Sequence, residues 1–337
     1  MFATVPLLSP RALLSLRGPA AQSLLHGLFT SPVSSLTAPV HGALLHANGR
    51  ILSPAFVHPY PDRASDSPDV LLDIHEAMAE EVTAHIKRYK LRSKVKVERE
   101  QAWKVAVDVE DQEAKREGAF VDMRAPGLGS RRLVRAEDES AASSLEAYTL
   151  RRSLLGVAET PEELVPGQAL PLEASLELQH GVDFRKGCYV GQELTARTHH
   201  TGVVRKRVVP VLLYELDGAM PDIPTAEQIA HSSASFSSLS ASHALPASGA
   251  EVRSVPLSPS SASSAPPRRG KAAGRLLSVQ PGGVGLALLR LEQVRRVGKS
   301  AEDNGLSMSV DVEGKSVGVR PWLPHWWPAE VREGEKE

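Results

Sequence analysis

Residues 186–197 read K-G-C-Y-V-G-Q-E-L-T-A-R and hold the only cysteine of the chain, Cys188, between Gly187 and Gly191. Two glycines this close mark a tight backbone turn rather than a packed helix interior. Gln192 to Arg197 then supplies good helix formers. Cys188 is therefore expected in a turn at or just before a helix N-terminus, beside Arg185 and Lys186, where backbone N–H groups and cations both favour a thiolate. The competing reading is a small buried hydrophobe, the usual place of a free cysteine.

Three uses of such a thiol can be weighed from the neighbouring residues. A cysteine-protease role needs a histidine base and an orienting group. His180, His199 and His200 are near in sequence, but His199 and His200 on a strand would point to opposite faces. Zinc held by His180, Cys188 and His199 or His200 has no recognised spacing. A thiolate that ligates iron or an iron-sulfur cluster together with a second protein fits a chain offering one thiol.

Composition narrows the classes further. At 337 residues two domains, or one composite domain, are expected. The net charge of -1 gives no global field for nucleic acid. One cysteine excludes an internal disulfide, a four-cysteine zinc site and a cluster held by this chain alone. No apolar run approaches the roughly 18 residues of a membrane-spanning helix. Residues 1–61 contain no Asp or Glu and carry Arg11, Arg17 and Arg50, a bias resembling a mitochondrial transit segment, with residues 1–10 as a short targeting segment.

Outward from the motif, periodicity predicts a strand over Arg11–Leu16, a helix over Ala20–Leu28, and a hairpin of Ala43–Leu45 with Ile51–Val57 around Asn48-Gly49. A strand over Val70–Ile74, a helix over Glu76–Lys90, and strands over Lys94–Glu98 and Lys104–Val109, each with one wet face, follow. Phe120–Arg132 reads as a Pro/Gly loop whose Asp122, Arg124, Arg131 and Arg132 form either an anion site or a solvated turn with local ion pairs. Ala141–Gly156 reads as a helix capped by Gly156. Beyond residue 200, Thr201–Tyr214 is a long strand with Pro210 at a bulge or edge. Ala273–Val279, Gly285–Arg290, Ser307–Val312 and Ser316–Arg320 complete a small β-barrel or sandwich. The fold class is α+β, with an α+β region over 11–200, a barrel from 201–217 and 270–328, and a charged tail at 329–337. Residues 218–269, rich in Ser, Ala and Pro, are expected to be a disordered insertion, interrupted by a strand near Ala250–Val255.

The string K-G-C-Y-V-G-Q-E, preceded by Gly181-Val182-Asp183-Phe184 and followed by L-T-A-R-T and R-K-R, resembles the signature of the YgfZ family of folate-binding proteins, whose eukaryotic branch comprises mitochondrial iron-sulfur cluster assembly factors of the Iba type. N-G-R-I-L, the Tyr89–Val95 segment, F-V-D-M-R-A-P-G-L-G, Tyr148–Glu159 and Gly285–Arg290 resemble further family segments. The chain departs from the pattern at Ser31-Pro32, Ser53-Pro54 and Asp122-Met123-Arg124. The resemblance implies an aminomethyltransferase-like folate-binding fold with a C-terminal barrel. It also implies a place in the mitochondrial matrix and assistance to [4Fe-4S] client enzymes together with an A-type iron-sulfur carrier protein. Cys188 would be a transient ligand of a cluster shared with that partner, or a thiol protecting it. Lys186 and Arg185 would tune the thiolate, Gly187 and Gly191 shape the turn beside Tyr189, and Gln192 and Glu193 hold the loop by hydrogen bonds. Asp122, Arg124 and Tyr148 would line a tetrahydrofolate-like pocket. The alternative implied by the same fold is an enzyme, a tetrahydrofolate-dependent aminomethyltransferase or demethylase.

Overall fold

The computed structural model describes residues 10–61, 67–137, 145–216, 219–230, 245–257, 270–300, 303 and 305–334, so the proposed targeting segment lies outside the described residues. The chain forms two compact units, residues 1–148 with 159–203, and residues 149–158 with 204–337.

In the first unit β1 (Arg11–Arg17), α1 (Ala21–His26), β2 (Val40–Leu45), β3 (Ile51–Pro59), β4 (Val70–His75), α2 (Ala79–Lys90, after a 3-10 turn at Glu76–Met78) and β5 (Lys96–Glu100) follow the sequence pattern closely. They build an antiparallel sheet in the order β2-β3-β4-β1-β5. The interior strand β1, between β4 and β5, is buried on both faces. Ala12, Leu14 and Leu16 join the core with Leu25, Val82 and Ile86 of α1 and α2, and Leu13 joins Leu71, Val105 and Val107 on the other side. That two-sided burial is why R-A-L-L-S-L-R reads as a continuous apolar run.

Asn48-Gly49 makes the hairpin turn as expected, with Gly49 at φ 80°. β5 alternates as predicted, Val97 inward and Lys96 and Glu98 outward. β6 (Trp103–Asp108) does not, because Ala106 on its second face is also buried, with Val134. The segment Phe120–Arg132 is only partly a loop: β7 (Phe120–Val121) and the first residues of β8 (Ser130–Arg135) pair within a β6-β8-β7 sheet, and the turn between them spans the Pro and Gly residues. α3 (Leu145–Leu154) brings Tyr148 to this unit, and α4 (Gln192–Thr201) follows the cysteine motif.

The second unit is a closed barrel in the order β10-β11-β12-β9-β14-β13. Its strands are β9 (Lys206–Glu215), β10 (Glu251–Pro256), β11 (Lys271–Val279), β12 (Val284–Arg290), β13 (Leu306–Val312) and β14 (Lys315–Pro321), with α5 (Ala226–Ala230), α6 (Leu291–Val294) and α7 (Ala329–Glu333). Closure leaves no exposed sheet edge, which decides between barrel and sandwich. The insertion is not uniformly unstructured. It contains α5, with Ile229 buried, and β10, a full barrel strand at the position where one was foreseen; residues 231–244 and 258–269 lie outside the described residues. Pro210 keeps register with Leu286, so there is no bulge, and the ladder to β14 stops at Val211, leaving the proline where its missing N–H is not needed. The charged tail begins as a helix, whose Val331 and Arg332 carbonyls accept from Arg295.

Candidate functional site

The cysteine loop is held by main-chain groups contributed from the far N-terminal part of the chain. After α1, Thr30 donates its hydroxyl to the Gly181 carbonyl at 2.5 Å and accepts the Ala43 N–H at 2.8 Å. The Asp183 N–H reaches the Thr30 carbonyl, and the Val190 N–H the Gly27 carbonyl at 3.0 Å. Between these points the Lys186 ammonium donates to the His26 and Phe29 carbonyls, each at 2.6 Å. A cation thus serves acceptors that the end of a helix leaves open. Burial pushes the Lys186 amine down to about 8, against a raising effect of Asp183.

Tyr189 turns inward under that ammonium, 4.7 Å from ring centre to Nζ, and burial raises its phenol to about 12. Its neighbour Cys188 points out: the thiol is exposed and makes no hydrogen bond to a described residue. The exposed-thiol reading therefore holds, and the buried-hydrophobe reading does not.

Gly191 is the N-cap of α4 at φ 82°. A Cβ there would overlap the His46 carbonyl oxygen and crowd Leu45 Cβ at 2.9 Å, so the β2–β3 hairpin can approach only a glycine. Gly187 has neither constraint, with nothing within 4 Å of a built Cβ. Three expected roles change. The Lys186 ammonium is committed to carbonyls instead of the thiol. The exposed Arg185 guanidinium lies 3.7 Å from Asp183. The Gln192 and Glu193 side chains make no hydrogen bond among the described residues, because they stand on the open first turn of α4; the Gln192 main chain alone bonds, to Tyr189.

His199 and His200 lie on a helix, not a strand. His199 stacks on Phe184 with ring centroids 3.6 Å apart, and His200 meets it edge-on at 5.1 Å. His180 is exposed in a left-handed conformation. Cys188 has no histidine hydrogen bond, and no group of three His, Cys, Asp or Glu side chains among the described residues could hold a metal. What the geometry offers is one fixed, accessible sulfur.

Asp122, Arg124 and Tyr148 come together in a buried, mutually hydrogen-bonded ion cluster. Asp122 accepts Arg124 Nε at 2.9 Å and Nη2 at 2.6 Å, while Arg124 also donates to Glu159 and, at 2.7 Å, to the Tyr148 hydroxyl. Arg131 donates to Tyr148 and to Asp73 at 2.7 Å, and Arg11 bridges Asp73 and Glu159. Three guanidinium groups thus balance three carboxylates in the interior, with Arg124 and Arg131 over the Phe56 ring. Despite burial, the cations hold the Asp73 and Asp122 carboxyls below the usual carboxylate range. Nearby His41 is driven down to about 3, by burial first and Arg124 second.

Every polar atom of Asp122, Arg124 and Tyr148 is taken up within this network, so these residues do not fit the lining of a tetrahydrofolate site. Both readings of the charged loop, an anion site or a solvated turn, fail for the same reason, although Arg132 stays partly exposed. Sequence reasoning missed Asp73, Glu159 and Arg11 as partners, and Thr30 as the strut of the cysteine loop. Tyr148 and Glu159 end one motif segment, which was the available signal for Glu159.

The barrel, residues 205–329, matches the family model described as CAF17, C-terminal beta-barrel domain. The whole chain resembles glycine cleavage system aminomethyltransferase T from Bartonella henselae with a TM-score of 0.60 at 12% identity, covering 94% of this chain and 84% of that one, which shows a common fold. Among relatives named iron-sulfur cluster assembly factor IBA57 homolog, mitochondrial, that of Mycosarcoma maydis is 38% identical over 94% of this chain and 83% of its own length. That of Neosartorya fischeri is 34% identical over 85% and 69%, and that of Neurospora crassa 33% over 98% and 83%. With identity of this order spread over nearly its whole length, the chain belongs to the family of mitochondrial IBA57 iron-sulfur cluster assembly factors.

Proposed function

We propose that this protein assists the maturation of [4Fe-4S] enzymes in the mitochondrial matrix, with Cys188 as one ligand of a cluster held jointly with an A-type carrier protein. The carrying observation is an exposed thiol on a loop fixed by Lys186, Thr30 and Gly191, with no second thiol in the chain. Iron-sulfur clusters take several thiolates. One rigidly presented sulfur is the arrangement that a partner's cysteines would complete, and soft thiolate suits iron. The relatives named as iron-sulfur cluster assembly factors support the same reading.

The test is rescue of [4Fe-4S] enzyme activities in cells lacking the native factor. Cys188→Ser is expected to fold as wild type and fail to rescue, and mixing wild type with a cluster-loaded carrier is expected to change the cluster's visible spectrum in a way the variant does not reproduce. Full rescue by the variant would sink the role of the thiol. Turnover of a methylated amine with tetrahydrofolate by the purified protein would instead favour the transferase reading.

A further inference from the structure

Residues 82–97 contain no acidic side chain and six basic ones, Lys87, Arg88, Lys90, Arg92, Lys94 and Lys96, in a chain whose net charge is -1. They gather at the end of α2 and in the turn leading to β5, where all but Lys90 are exposed. Lys96 has Glu98 at 2.9 Å, and the other five have no ion-pair partner among the described residues. The helix dipole accounts for Lys87, Arg88 and Lys90 in the last turn of α2. It does not account for Arg92 and Lys94, which lie beyond the helix, or for Leu91, which follows Lys90 and precedes them.

Leu91 is 85% exposed. Its φ of 47° and ψ of -113°, with the Ser93 N–H bonded to the Lys90 carbonyl at 2.8 Å, place it at the second position of a type II′-like turn, where the backbone calls for glycine. A lone exposed leucine is ordinary. A leucine strained into a glycine position and raised among unpaired cations serves neither folding nor solubility. An aliphatic tip ringed by Lys and Arg is the arrangement of a surface that meets a bilayer, the tip entering the headgroup layer while the cations lie on phosphates.

We propose that the Tyr89–Val95 turn is a peripheral contact with an anionic phospholipid membrane, Leu91 inserting and Lys87, Arg88, Lys90, Arg92 and Lys94 holding the headgroups. An acidic protein partner would use the same cations, but an apolar anchor at a protein interface normally belongs to a packed apolar patch, whereas Leu91 is the only large apolar side chain exposed within residues 82–97. Each cation near such a surface strengthens partitioning roughly five-fold, so the contact is reversible and salt-sensitive.

The test is co-sedimentation of the full chain with phosphatidylcholine vesicles with and without cardiolipin. Binding is expected only with cardiolipin, and is expected to fall as salt is raised. The combined change Lys87→Gln, Arg88→Gln, Arg92→Gln and Lys94→Gln should weaken it by about two orders of magnitude or more, from four such factors. Leu91→Gly separates the contact from the fold: it should be at least as resistant to urea as wild type, since it relieves the turn, yet bind several-fold more weakly. Equal binding to both vesicle types, or Leu91→Gly binding as tightly as wild type, would overturn the proposal. So would binding to polyglutamate but not to vesicles, which would give the patch to an acidic protein.

Discussion

Gly191→Ala and Gly187→Ala, two identical changes on either side of Cys188, are expected to differ sharply. At Gly191 an alanine must adopt φ 82°, which costs roughly 1 kcal/mol for a residue with a Cβ. Its Cβ also meets the His46 carbonyl and Leu45, and Gly49 Cα lies at 3.2 Å with its own left-handed backbone, so neither side of the contact can give way freely. Overpacking of that kind adds about 1–3 kcal/mol, for a total of roughly 2–4 kcal/mol. At Gly187 neither contribution exists, and the change should stay within about 0.5 kcal/mol. Urea unfolding followed by far-UV circular dichroism reads the difference. The rate at which a bulky maleimide labels Cys188 under native conditions reads whether the loop has come loose from the hairpin. If Gly191→Ala unfolds with wild type, or Gly187→Ala loses as much, the hairpin does not hold the cysteine loop and the argument for a positioned sulfur fails.

Two further outcomes concern the ion cluster. Arg124→Met leaves Asp122 and Glu159 each short of a buried partner and should destabilise the protein by about 3–5 kcal/mol in urea unfolding; a loss under 1 kcal/mol would show that water reaches the site. His41 is neutral in the native protein, with its folded value near 3 against 6.5 unfolded, so the unfolded chain binds the extra proton between these values. Stability is therefore lost as pH falls from about 6.5 toward 3, by about 2 kcal/mol at pH 5 from this residue alone. His41→Asn, whose amide can take over the contact to the Gln179 carbonyl, should flatten that acid limb, and an unchanged pH profile would refute the assignment.

The parts of this molecule that were legible in the sequence are those whose cause is local. The Asn48-Gly49 hairpin is closed by Gly49, which alone of the two takes a left-handed backbone, and the turn before α4 is announced by Gly191. The charged segment around Asp122 was not legible because its meaning is set by distant residues: Arg11 and Glu159 are 148 positions apart, and Arg131 and Asp73 are 58. Before the fold brings three guanidinium groups onto three carboxylates, a Pro/Gly-rich stretch of charges has the composition of a wet loop, and only balance permits its burial.

The cysteine loop shows a different limit. Its sequence position beside Cys188 makes Lys186, with Arg185, a candidate to tune the thiolate, yet its ammonium is held by the carbonyls of His26 and Phe29. Main-chain acceptors leave no mark on the residue types that carry them, so nothing at positions 26 or 29 could have signalled the contact. The information sits entirely on the donor side, in the lysine two residues before Cys188. That same asymmetry explains how the loop can be rigid while its exposed face stays free: the lysine is spent inward, the sulfur outward, and what the sulfur meets is left to another molecule.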